Sequence, residues 1–180
     1  MALSSSNKRH QAGPLRRVFH FGGFQADSAT TEGTSTGCLS ARNLIAAAVH
    51  AGARRLIAQS IAFIYADGSK PHQETDPLLP VTHPVYGETV QGVLSLERQV
   101  MEAPLDGIVL RFGLFYGPGT GFAAPIAPGS VHVDAAAKAA ELAVTQGQRG
   151  LYNVTETDGT TSSEKAIHAF GWDAGWRCGD

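Results

Sequence analysis

Arg54-Arg55-Leu56-Ile57-Ala58-Gln59-Ser60-Ile61-Ala62-Phe63 decides the fold of this chain. Its apolar residues run almost without a break, where a strand wet on one face would alternate apolar and polar side chains. Such a run suits a strand buried on both faces, the situation of a parallel sheet covered by helices. Gly107 to Phe112 (GIVLRF) has the same character. Leu15 to Phe21 (LRRVFHF), closed by Gly22-Gly23, and Leu151 to Val154 read as shorter strands.

Helical segments fall between these strands. Arg42 to His50 (RNLIAAAVH) is rich in helix formers and is stopped by Gly52. From Tyr86 to Met101 the apolar residues Val90, Val93, Leu94, Leu96, Val100 and Met101 keep helical spacing, with Gly92 a soft spot. Val133 to Val144 predicts a third helix with Asp134 as its N-cap. Ser163 to Phe170 predicts a short, weak fourth. Residues 25 to 41 are small and polar without a period and read as loop, as does the proline-rich stretch from 66 to 85. The alternation predicts an α/β fold, a doubly wound parallel sheet with right-handed crossovers, whose ligand site lies at the carboxyl ends of the strands. The expected division is a disordered tail over 1–14, one domain over 15–157, and a C-terminal tail with a short helix over 158–180.

Composition narrows the function classes. The chain has 180 residues, 43% of them hydrophobic, enough for a single core. Lys and Arg number 14 against 16 Asp and Glu, and no basic stripe stands out, which argues against nucleic acid or an anionic membrane as partner. No apolar run reaches the ~18 to 20 residues of a membrane helix. Cys38 and Cys178 are far apart and form no CxxC pair, so a reducing, cytoplasmic location is expected. The Ser-rich, basic opening reads as a tail rather than a transit peptide. Asn153-Val154-Thr155 reads as a strand end rather than a glycosylation site.

Few residues carry recognisable chemistry. Neither G-x-G-x-x-G nor a Walker A motif occurs in the sequence. Gly117-Pro118-Gly119-Thr120-Gly121 is glycine-rich, but prolines follow where a phosphate-binding helix would start. His72-x-Glu74-x-Asp76 lies in a proline-bounded acidic loop without paired His or Cys elsewhere, and no metal site is expected. His132 is expected to order the start of the third helix. Tyr86, at the mouth of the second helix, can be a proton donor or a packed ring. A phenol with a pKa of ~10 needs a nearby cation to shuttle protons at neutral pH, and the i+4 position holds Val90.

Taken in order, five pieces of sequence resemble the NAD(P)-dependent epimerase/dehydratase family of the extended short-chain dehydrogenase/reductase superfamily. They are Val18 to Gly23; Glu32-Gly33-Thr34 followed by Arg42-Asn43-Leu44-Ile45; Ser60 to Tyr65; Tyr86-Gly87-Glu88-Thr89; and Arg111 to Gly119 with His132-Val133-Asp134. The likeness covers residues 15 to 157. It implies a partial Rossmann-like sheet lacking the first βαβ units, truncated at the N-terminus, and a cofactor, NAD or NADP, lying against Gly22, Gly23, Phe112 and Gly113. It further implies a sugar-nucleotide or similar carbonyl or alcohol substrate. In that reading Ser60 positions the substrate oxygen and Tyr86 passes the proton. A homodimer would form through the helices starting near Arg42 and Tyr86, using Leu44, Ile45, Val93, Leu94 and Met101. The chain departs from the family pattern at Val90, where the family has lysine, at Ile61, its usual Ser/Thr position, and at Ala135. Those departures and the missing glycine loop keep open a second reading, a non-catalytic relative serving as a binding or scaffold module.

Overall fold

A computed structural model describes residues 18–21 and 33–179, with side chains from Ala41 onward. The elements in chain order are β1 (Val18–Phe21), α1 (Gly33–His50), β2 (Arg55–Ile61), α2 (Gly87–Glu102), β3 (Asp106–Phe112), β4 (Phe115–Tyr116), β5 (Val131–His132), α3 (Val133–Ala143), β6 (Gly150–Val154) and α4 (Glu164–Phe170). A four-stranded sheet runs in the order β1-β2-β3-β6, and β4 pairs with β5 separately. Every pairing is parallel, with Ile57 opposite Ile108 and Phe112 opposite Val154. This is the parallel α/β sheet that the buried runs predict, in the partial Rossmann-like form that the family resemblance implies.

Alternation along each strand sorts the core into two layers. Leu56, Ala58 and Val109 face α1 and α2, meeting Ala41, Ala48, Leu96 and Val100. Ile57, Ile108, Leu110 and Phe112 face the other way, onto Ala135, Ala139, Ala166 and Phe170. Each large aliphatic side chain buried in this way contributes about 1.5–3 kcal/mol. Trp172 is 2% exposed and donates its indole N–H to the Ala135 carbonyl at 2.7 Å, so the C-terminal stretch packs on the same core as the sheet. The outer edge of β6 is capped by side chains. The Glu74 carboxylate accepts the Asn153 N–H at 2.8 Å, and Ser163 Oγ accepts that of Thr155 at 2.9 Å. Backbone donors tied up locally cannot recruit a further strand.

Two local expectations are corrected. The stretch expected as loop up to residue 41 is helical from Gly33, continuous with the part of α1 whose Ala41 and Ala48 pack against α2 and β2. The N-cap of α3 is His132 rather than Asp134: His132 Nδ1 accepts the Asp134 N–H at 3.2 Å, so Asp134 is the donor and sits in the first turn. Of the side chains expected on a dimer face, Val93 is buried against Ile61 and Ile64, while Leu94 is 45% exposed. Residues 1–14, Gly22 and Gly23 lie outside the described residues. Among those described, no helix is long and apolar enough to cross a membrane.

Candidate functional site

The first turn of α2 packs on the carboxyl end of β2, where Ile61 meets Val90 and Val93. Tyr86 occupies the N-cap position of that helix and makes no capping bond with its side chain. The turn before it is tight. The His83 carbonyl accepts the Gly87 N–H at 2.9 Å, and a Cβ on Gly87 would lie 2.3 Å from the Val81 carbonyl oxygen, so only glycine fits. His83 Nδ1 accepts the backbone N–H groups of Tyr86 at 3.0 Å and Val85 at 3.3 Å. The two rings stack with centroids 5.4 Å apart. Tyr86 is 41% exposed, and among the described residues nothing pairs with its hydroxyl.

The chain has four tyrosines, and the other three are committed. The Tyr65 hydroxyl donates to Asn153 Oδ1 at 2.7 Å and accepts from Arg111 Nη1 at 2.8 Å. Burial pushes its pKa up and outweighs the pull of the Arg111 guanidinium toward phenolate. The Tyr116 hydroxyl donates to Glu156 and accepts from Arg177 Nη2 at 3.1 Å; burial, and then the Glu156 carboxylate, raise its pKa. The Tyr152 hydroxyl donates to the Gln148 carbonyl at 2.7 Å.

Ser60 is the last residue but one of β2, and its side chain is turned into the protein. It is 1% exposed, and its hydroxyl donates to Glu97 Oε1 at 2.7 Å. Arg111 grips the same carboxylate with two bonds, Nε to Oε1 at 2.8 Å and Nη2 to Oε2 at 2.7 Å. Burial disfavours the charged guanidinium, but pairing with Glu97 raises the Arg111 pKa above the ordinary arginine range. Arg111 Nη1 also reaches the Glu74 carbonyl at 3.1 Å and ties the acidic loop to the sheet. Glu97 follows Tyr86 by three helical turns, about 16 Å along the axis, so the structure does not bring the Ser60 hydroxyl and Tyr86 together. Sequence reasoning passed over Glu97. The available signal was an acid on the apolar stripe of α2, between Val93 and Val100.

The remaining candidates are placed as follows. Phe112 is 4% exposed, its ring in the α3/α4 layer and its carbonyl accepting the Ala62 N–H at 2.8 Å. Gly113 is covered by the chain itself, since a Cβ there would meet the Gly129 carbonyl oxygen at 1.8 Å. Gly117 to Gly121 forms a closed turn, with the Gly117 N–H on the Phe122 carbonyl at 2.8 Å. Asp76 is 3.2 Å from His72 Nδ1, Glu74 is turned to β6, and no cluster of three metal-ligating side chains occurs among the described residues. A shallow cleft of about 630 Å³, lined by Gln146, Tyr152, Lys165 and His168 among others, opens by the amino end of β6, the opposite edge of the sheet from Tyr86.

Comparison with solved structures bears out the partial Rossmann-like α/β fold. The UDP-N-acetylglucosamine 4-epimerase of Bacillus cereus superposes with a TM-score of 0.67 at 18% identity, over 86% of this chain and 71% of that one. The UDP-glucuronic acid 4-epimerase of the same organism, in complex with NAD, gives 0.63 at 14% identity, over 88% and 68%. By sequence the chain is similar to a 3-diazoavenalumate denitrifying reductase of a Streptomyces species, 38% identical over 159 residues, 77% of this chain and 50% of that protein. The chain thus spans about half the length of that curated relative. No family model matches.

Proposed function

We propose that the chain is a nicotinamide-dependent oxidoreductase of the epimerase/dehydratase group, acting on a carbonyl or alcohol carbon, with Tyr86 passing the proton to or from the substrate oxygen. The observation that carries this reading is the free Tyr86 hydroxyl at the carboxyl edge of the sheet, where ligands bind in open α/β folds. The 38% identical relative bears the name of a reductase, and the structural neighbour of Bacillus cereus holds NAD. Both support the class of chemistry.

Among the described residues the glycine-rich turn at Gly117 does not fit the pyrophosphate of such a cofactor, since no helix N-terminus directly follows it. When bound, the nicotinamide would exchange a hydride with the substrate carbon. In the proposal Gly22 and Gly23 line that cofactor, NAD or NADP; for Phe112 and Gly113 at the end of β3 to line it as well, the Gly129 backbone that covers Gly113 would have to move away. For Ser60 to hold the substrate oxygen, its hydroxyl would have to leave Glu97. Ser60→Ala therefore separates the roles: a raised KM or lowered kcat with unchanged stability marks a substrate contact, and lost stability alone marks a bond within the sheet.

The neighbours' substrates suggest a sugar nucleotide, a small-molecule partner. A homodimer through α1 and α2, with Leu94 and Val49 outward, and a cytoplasmic location belong to the same proposal. The second reading, a non-catalytic binding module, is favoured by Val90, which sits buried where the family's lysine would stand beside the phenol. Calorimetric titration with NAD⁺, NADH, NADP⁺ and NADPH tests the first reading. Micromolar binding, with Tyr86→Phe lowering turnover about 100-fold or more, supports it. A folded sample that binds none of the four up to millimolar concentration favours the second.

A further inference from the structure

Val90 stands where a lysine would support the phenol, and the ring stacked on Tyr86 is that of His83. We propose that His83 is the positioning residue for Tyr86: its neutral imidazole caps the turn over residues 83–87 through Nδ1 and fixes the phenol by ring stacking. The inference deepens the proposed function and rests on that reading only for its kinetic consequence.

The geometry fixes the protonation that the cap requires. Nδ1 accepts two backbone N–H groups, from Val85 and Tyr86, so it carries no proton, and in the neutral ring the proton belongs on Nε2. A proton on Nδ1 would abolish both bonds. It would also place a positive charge at the N-terminus of α2, where the helix dipole disfavours cations. The His83 N–H donates to the Pro80 carbonyl at 2.9 Å, its own carbonyl takes the Gly87 N–H, and the Tyr86 ring covers one face. Glu88, the acid in the first turn of α2, forms no ion pair with it among the described residues. Because Gly87 lies hard against Val81, the turn has little room to re-form another way. Loss of the two Nδ1 bonds would therefore be felt at Tyr86.

The test is an NMR titration of the full chain from about pH 8 to 5, the range in which imidazoles generally take up a proton, following the His83 ring, the Val85 and Tyr86 amides and the Tyr86 ring protons. In the wild type all four should move with one midpoint. In His83→Asn, whose side-chain oxygen can still accept N–H groups but does not titrate, the amides and the tyrosine ring should stay flat. Where turnover is measurable, the wild type should lose about threefold or more of kcat over the same range, and His83→Asn should not. His83→Ala should lower kcat at every pH, with His83→Asn restoring it. A His83 ring that titrates without moving the two amides overturns the proposal, as does His83→Asn responding as the wild type does. The amide readout needs no activity, so failure of the oxidoreductase reading and failure of this one are distinguishable.

Discussion

Two tyrosines sit beside a histidine that caps a helix turn, and they end up with opposite fates. Tyr116 meets the His132 ring edge-on at 5.1 Å, and His132 caps α3 through Nδ1. Tyr86 stacks on His83, which caps the turn ahead of α2 in the same manner. A glycine follows each tyrosine because a Cβ would collide, Gly117 with the His132 ring at 2.5 Å and Gly87 with the Val81 carbonyl oxygen at 2.3 Å. The difference lies beyond the rings. Tyr116 is 9% exposed and its hydroxyl is shared between Glu156 and Arg177, whereas Tyr86 is 41% exposed with its hydroxyl unpaired among the described residues. A capping histidine and a tight glycine place a phenol in either case. Whether that phenol can do chemistry depends on whether the chain has already used its hydrogen-bonding capacity.

The largest effect expected from this contrast is at Gly117. Its φ is +107°, which L side chains rarely adopt, and the His132 ring fills the space a methyl would need. Gly117→Ala should destabilise by about 2–5 kcal/mol, adding backbone strain to overpacking; urea unfolding measures it. A loss under about 1 kcal/mol would mean that the His132 ring swings aside freely and that the Tyr116 pair is not closed.

Next comes Tyr116→Phe, which removes the hydroxyl between Glu156 and Arg177 but leaves their own contact at 3.0 Å. The expected loss is about 1–2 kcal/mol, a half-buried carboxylate deprived of one donor. The same variant sharpens an alkaline effect. Because the folded protein raises the pKa of Tyr116 and of Tyr65, it holds those protons where the unfolded chain, with phenols near ~10, releases them. The stability they contribute is therefore complete below pH ~10 and is lost as pH rises through the higher folded values. Urea midpoints between about pH 8 and 11 should fall in the wild type and fall less steeply in Tyr116→Phe.

The same contrast marks how far the sequence could be read. The buried strands were legible because β2 and β3 are apolar on both faces, a pattern that few other environments tolerate. The head of α2 was legible because Pro84 precedes it and Val90, Val93 and Val100 keep one helical face. The start of α1 was not, since Gly33 to Ser40 are small, polar, weak helix formers without a helical period. His132 as N-cap was half visible: its role at the start of α3 could be foreseen, but Asp134 is the commoner capping residue and drew the assignment. Ser60 carried the right residue type for a substrate contact. Only the fold brings Glu97 and Arg111 to it, because a contact across 37 positions leaves no periodic trace.

The smallest expected effect is the sharpest test of the open pair. If the Tyr86 hydroxyl has no partner in the folded chain, removing it costs neither a hydrogen bond nor a buried polar group. Tyr86→Phe should then keep the ring stack on His83 and change unfolding stability by no more than about 0.5 kcal/mol, as surface substitutions usually do. Set beside the loss expected for Tyr116→Phe, this near-zero value measures how far the chain leaves one phenol unspent and uses the other. A cost at Tyr86 as large as at Tyr116 would place a folded-state partner on its hydroxyl. The phenol would then be closed like the other three, and the case for proton transfer from it would lose its support.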